Sequence, residues 1–164
     1  MNAPAEALVT LADFDRPDAL ILGIGNDGRQ DDGLGWAFID WLEQNGLCPQ
    51  AELQRNYQLQ IEDAELISRK QRVLFVDATL EPEVESFVLR PGQPQFDYSF
   101  TSHEVSIASI LATCKTCFGR LPEVHVLAIR GYEWELQMGL SERAQVNLQA
   151  AQKQLLPSRA TEPA

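Results

Sequence analysis

Short apolar runs and amphipathic stretches alternate along this chain. Residues 19–24, Ala-Leu-Ile-Leu-Gly-Ile, form an apolar run that predicts a strand. Residues 34–45 read as a helix with Trp36, Ile39 and Leu42 on one stripe, and Gly46 stands where a helix stops. Residues 51–57 alternate like a strand, and residues 62–69 suit a short helix through Ala64, Leu66 and Ile67. Residues 73–76, Val-Leu-Phe-Val, are uninterrupted apolar and mark a strand buried on both faces, ending in Asp77. Residues 86–89 predict a further strand closed by Pro91-Gly92. A helix over 103–118, opened by His103, carries Val105, Ile107, Ala108, Leu111 and Ala112 as its apolar residues. A buried strand over 124–129 and a last helix over 141–156 complete the order. Ser141 suits the cap of that helix, although Ala144 leaves a capping box incomplete.

This order predicts a single α/β domain, with a mainly parallel twisted sheet of about five strands and helices on both faces. Residues 19–156 form the domain; residues 1–18 read as a loose N-terminal arm and 157–164 as a disordered tail.

Composition narrows the function. The 164 residues carry 24 Asp and Glu against 13 Lys and Arg, a net charge of −11. That balance opposes nucleic acid and anionic membrane surfaces, both of which require a basic face. No stretch reaches the ~20 apolar residues of a membrane span. No signal peptide is evident, so a cytoplasmic location is expected. Cys48, Cys114 and Cys117 do not suggest a disulfide framework. Cys114 and Cys117 fall in the last turns of a helix, away from the N-terminal position that activates thiols, so they read as small buried or half-buried residues.

Candidate chemistry begins where the first strand ends, in Gly23-Ile-Gly25-Asn26-Asp-Gly28-Arg-Gln-Asp31-Asp32-Gly33-Leu-Gly35. Gly23-x-Gly25-x-x-Gly28 matches the dinucleotide fingerprint, but Asp31 and Asp32 place negative charge where a pyrophosphate needs free backbone N–H groups. A structural alternative has one of the two aspartates capping the next helix. Asp32 after the first strand, Asp77 after the buried third strand and His103 after the fourth occupy equivalent places at one edge of a parallel sheet. Two carboxylates and an imidazole can hold a divalent ion such as nickel or zinc. Each also has a plain role: His103 as a solvated helix start, Asp77 as a group facing the next helix.

These blocks resemble the nickel-iron hydrogenase maturation endopeptidases. The opening glycine motif with Asp31-Asp32, the Val76-Asp77-Ala78 block, Ser102-His103 and the weaker Gly139-Leu140-Ser141 occur in that family's order, over residues 19–156. The resemblance implies removal of a C-terminal extension from a hydrogenase large-subunit precursor after nickel insertion. It implies substrate-borne nickel contacted by Asp32, Asp77 and His103. Asp32 stands where many relatives carry Glu. Residues 57–64 lack the glycine-containing loop of many relatives, and Gln58, Gln60, Glu62 and Asp63 there either contact substrate or only begin a helix. The loop of residues 27–30 is also more polar than in many relatives. Both changes suggest a subgroup with its own hydrogenase substrate.

No Gly-x-Ser-x-Gly elbow, credible cysteine–histidine pair or His-Glu-x-x-His signature is present, so peptide hydrolysis here would be metal-assisted or aspartic-type. A non-cleaving metal- or subunit-binding chaperone of hydrogenase assembly would use the same residues.

Overall fold

The computed structural model describes residues 9–95 and 106–157. Five strands form one sheet: β1 (Ala19–Ile24), β2 (Glu52–Asn56), β3 (Arg72–Thr79), β4 (Phe87–Pro91) and β5 (Glu123–Arg130). Their order is β2-β1-β3-β5-β4. Only β4 runs antiparallel, against β5. The helices are α1 (Leu34–Gln44), α2 (Asp63–Ser68), α3 (Ile107–Phe118) and α4 (Glu142–Leu155). The expected single α/β domain is the one observed.

Strand period explains the two cores. Ile21, Leu74, Val76, Leu127 and Ile129 point to one face of the sheet, where they pack with α1 and α4 through Phe38, Leu42, Leu148 and Leu155. Leu20, Leu22, Val73, Phe75 and Val124 point to the other and pack with α2 and α3 through Ile67, Ile110 and Leu111. β1 is buried along its whole length, as an apolar run between two helical layers requires. Each fully buried Leu, Ile or Phe contributes roughly 1.5–3 kcal/mol.

Several expectations are corrected. Asp77 lies inside β3, which continues to Thr79, because β5 pairs with it up to Arg130. Pro91 belongs to β4 instead of closing it. Gly92 N–H donates to Val124 O, and Arg130 N–H donates to Ser86 O. The odd positions between therefore turn their backbone away from β5, and Pro91 loses no ladder bond at this edge. α3 begins at Ile107, since Ser106 is its extended N-cap and accepts from Ser109 N–H. His103, expected to open that helix, lies outside the described residues. So do residues 1–8 of the expected arm and 158–164 of the expected tail. The described part of the arm is not loose: Leu11–Phe14 form a 3-10 turn with Leu11 and Phe14 buried beneath the sheet. On α1, Phe38 joins Ile39 and Leu42 in the core, while Trp36 is half-buried and donates its Nε1–H to Asn56 O. As expected, α1 stops at Gly46 (φ 60°), where Leu47 N–H reaches Leu42 O.

Gly35 accounts for how α1 meets the sheet. A Cβ there would lie 2.4 Å from Val76 O and 2.6 Å from Ile24 O, both backbone atoms. The first turn of α1 thus sits directly on the end of β1 and on Val76 of β3. Gly35→Ala is expected to cost about 3 kcal/mol, because backbone must move. Gly46→Ala, with nothing near its Cβ, is expected to cost about 1 kcal/mol from its positive φ alone. Urea denaturation of the two variants checks the difference; equal losses would show that the close approach is not what requires Gly35.

Candidate active site

The strand order reverses between β1 and β3: the chain leaves β1 toward β2 and crosses back to β3. Outside the carboxyl ends of strands at such a point, an open parallel sheet leaves a crevice. A cleft of about 860 Å³ lies there, and its walls include Asp32, Asp77, Gln58, Arg90, Ser106 and Trp134.

Asp32 arrives through a 3-10 turn, Gln30–Gly33, that runs directly into α1. Gly25 makes its position possible. It has φ 143°, and a Cβ there would fall 1.9 Å from Asp32 O. Asn26 N–H donates to that same oxygen at 3.1 Å. The turn is therefore pulled back onto the end of β1. Asp77 alternates with Val73 and Phe75 along β3, so it shares their sheet face and opens into the cleft beyond the core. Its Oδ1 accepts from Ala78 N–H at 2.8 Å.

Asp31 does something other than capping. Gly33 is the N-cap of α1, and no side chain caps it. Asp31 is fully buried and accepts from Tyr132 N–H (2.8 Å), Glu133 N–H (2.9 Å), Ser141 N–H (2.7 Å) and Ser141 Oγ–H (2.8 Å). Burial pushes its carboxyl pKa up. The hydrogen bonds from Ser141, Tyr132 and Glu133 outweigh this and hold it below the ordinary carboxylate value. Ser141 Oγ meanwhile accepts from Ala144 N–H and caps α4, as its position suggested.

The loop between β1 and α1 offers no cradle for a pyrophosphate. Asn26 N–H is spent on Asp32 O, Gly28 N–H on Asn26 Oδ1 and Arg29 N–H on Asn26 O. Gln30, Asp31 and Asp32 N–H go to Gln137 O, Glu133 O and Arg29 O. Arg55, where a ribose-binding acid would be expected, is tied to Asp40 and Glu43 of α1.

Cys114 is buried and donates to Ala64 O, with its pKa raised by burial. Cys48 is buried too, and burial with nearby Asp15 pushes its thiol up to about 11. Cys117 is exposed, contrary to the half-buried role expected of it.

Among the described residues, no three His, Cys, Asp or Glu gather into a metal-binding group. Asp32 and Asp77 share one cleft, and the third expected ligand, His103, lies outside the described residues. The chain leaves the described residues at Gln95 and returns at Ser106, both on the cleft wall. Sequence reasoning missed Arg90, which pairs with Glu81 at 3.0 Å, and Trp134. Trp134, an aromatic between two glutamates in the loop after β5, gave a signal; Arg90 gave none. Of the second-loop residues, Gln58 joins the cleft wall, while Asp63 accepts from Gln60 N–H and starts α2.

No family model and no curated protein matches this chain. Solved structures do. The hydrogenase maturating endopeptidase HybD from E. coli superposes with a TM-score of 0.66 at 16% identity, over 83% of this chain and 88% of that one. The [NiFe] hydrogenase maturation protease HycI from Thermococcus kodakarensis gives 0.66 at 18% identity, over 84% and 89%. HybD from the same organism gives 0.58 at 23% identity, over 82% and 94%. This chain has the fold of the hydrogenase maturation endopeptidases. Among the described residues, no helix is long and apolar enough to cross a membrane.

Two predictions follow from the buried groups. Because the folded Asp31 carboxyl sits below its unfolded value, its stabilisation is complete above the unfolded value near 3.8 and is lost as pH falls through the folded value. Asp31→Asn is expected to cost about 3 kcal/mol at pH 7, and the gap from wild type should narrow at acid pH below that point. Denaturant titrations at both pH values check this; a gap independent of pH would remove the charged form from the account. Separately, iodoacetamide on the folded protein should modify Cys117 alone, with Cys48 and Cys114 following only on unfolding. Peptide mass mapping reads the order.

Proposed function

We propose that this protein is an endopeptidase that removes the C-terminal extension of a nickel-loaded hydrogenase large-subunit precursor. The observation that carries this reading is the convergence of Asp32 and Asp77 on one open cleft at the reversal of strand order, in this fold. His103 completes the set: it lies three residues before Ser106, which lines the same cleft. Nickel belongs to the substrate, and Asp32, Asp77 and His103 contact it there, carboxylate and imidazole being suitable donors. Binding at the metal then fixes where the scissile bond lies.

The chemistry needs a water activated for attack on the peptide carbonyl and a proton for the departing amine. In the proposed step, one carboxylate takes a proton from water as its oxygen bonds to the carbonyl carbon. The C–N bond then breaks and that proton passes to the departing nitrogen, leaving a carboxylic acid and an amine, which ionise to carboxylate and ammonium by passing the remaining water proton from acid to amine. The location proposed for this reaction is the cytoplasm, where the precursor is made.

The test is the intact mass of a candidate nickel-loaded precursor before and after incubation with the protein. A loss equal to a C-terminal peptide is expected. It should disappear with Asp32→Asn, Asp77→Asn or His103→Ala, each retaining wild-type unfolding free energy within about 1 kcal/mol, and without nickel. Cys117→Ser should cleave normally. Tight binding without any change of mass would instead identify a chaperone.

A further inference from the structure

The five most exposed large apolar side chains among the described residues are Tyr57, Ile61, Leu80, Leu136 and Met138, at 65–77% exposure. They lie on loops after β2, β3 and β5, which are parallel strands, so all are at the edge of the sheet that carries the cleft. Exposed apolar side chains grouped at one edge mark an interaction site more often than scattered ones do. Ile61, Leu136 and Met138 are not on the cleft wall. They extend the apolar rim beyond the space a peptide in the cleft would occupy.

The rim is held in place. Tyr57 packs on Trp36 with ring centroids 4.9 Å apart. Gln30 N–H donates to Gln137 O, and its Oε1 accepts from Glu135 N–H, fixing both neighbours of Leu136. Gln30 does this at φ 48°, a left-handed conformation costly for a residue with a Cβ. Such preorganisation lowers the ordering cost of binding.

Charge selects the partner. Residues 57–63, 80–85 and 131–138 contain Glu62, Asp63, Glu81, Glu83, Glu133 and Glu135 among their acids, and no Lys or Arg. The nearby cations are Arg29, on the β1 loop, Arg90, which is already paired with Glu81, Arg130, which donates to Glu81 O and Val84 O, and Arg143, which lies over the Tyr132 ring, so the acids still outnumber them. A second copy of this chain would bring like charge against like, and an acidic partner would be repelled. We propose that these three loops dock a folded protein surface with apolar pockets ringed by Lys and Arg. Given the function proposed above, on which this rests, that surface belongs to the body of the hydrogenase precursor, outside the segment that is cut.

The test measures binding of nickel-loaded precursor to Asp77→Asn protein, which on that reading does not cleave, at about 50 and about 300 mM salt. It also measures cleavage kinetics with Asp77 intact. The double variant Leu136→Ser/Met138→Ser should weaken binding at least about tenfold, with the loss in kinetics falling on KM more than on kcat. Glu133→Gln/Glu135→Gln should flatten the salt dependence. Phe118→Ser, at the end of α3 away from the rim, should bind and cleave as wild type. Unchanged binding in both loop variants overturns the docking face, and so does salt-independent binding. If wild type binds but does not cleave while the loop variants lose affinity, the docking face stands and the endopeptidase reading falls. Absence of any binding by wild type overturns both.

Discussion

The Asp31 carboxylate gathers hydrogen bonds from Tyr132, Glu133 and Ser141, more than one hundred positions along the chain, in a site with no water access. Three parts of the molecule depend on it. It sets the turn that carries Asp32, it closes the loop after β5, and it orients the serine that caps α4. Satisfying so many backbone donors with one charge explains why a buried carboxylate is tolerated: the charged form is favoured by its partners more than it is penalised by desolvation. Asp32, its chain neighbour, lines the cleft wall.

The glycines serve the same end. Gly25 and Gly35 let backbone touch backbone where β1, the 3-10 turn and α1 meet, so the turn is pressed against the end of β1 and α1 against β1 and Val76 of β3. In a dinucleotide-binding protein, comparable glycines let a loop approach a pyrophosphate. Here the approach is intramolecular, and the loop amides are bonded within the chain. One local pattern thus supports two different sites, and the adjacent aspartates distinguish them.

In the function proposed here, the cleft and its rim divide the work of recognition. The cleft places two carboxylates at the sheet edge, a geometry suited to a compact charged centre in a substrate. The rim spreads apolar side chains and acidic residues over a larger surface, suited to a folded partner. Rigid loops on a rigid sheet connect the two, so that a partner seated on the rim would present its segment to the cleft in a fixed register.

The sequence alone determined the element order, the parallel sheet and the buried β1 and β3, because apolar periodicity is local and reads directly from neighbours in the chain. It also placed Asp32 and Asp77 toward the same edge of the sheet, since a parallel topology leaves few alternatives. What it did not determine were the continuation of β3 through Asp77 and the accommodation of Pro91 in β4, both decided by pairing with β5. The separate duties of Asp31 and Asp32 were likewise illegible. Two identical side chains stand side by side, and only the fold brings Tyr132, Glu133 and Ser141 to one of them. Hydrogen bonds between residues that far apart leave no periodic trace, so the tertiary structure alone decided which aspartate holds the protein together and which faces the cleft.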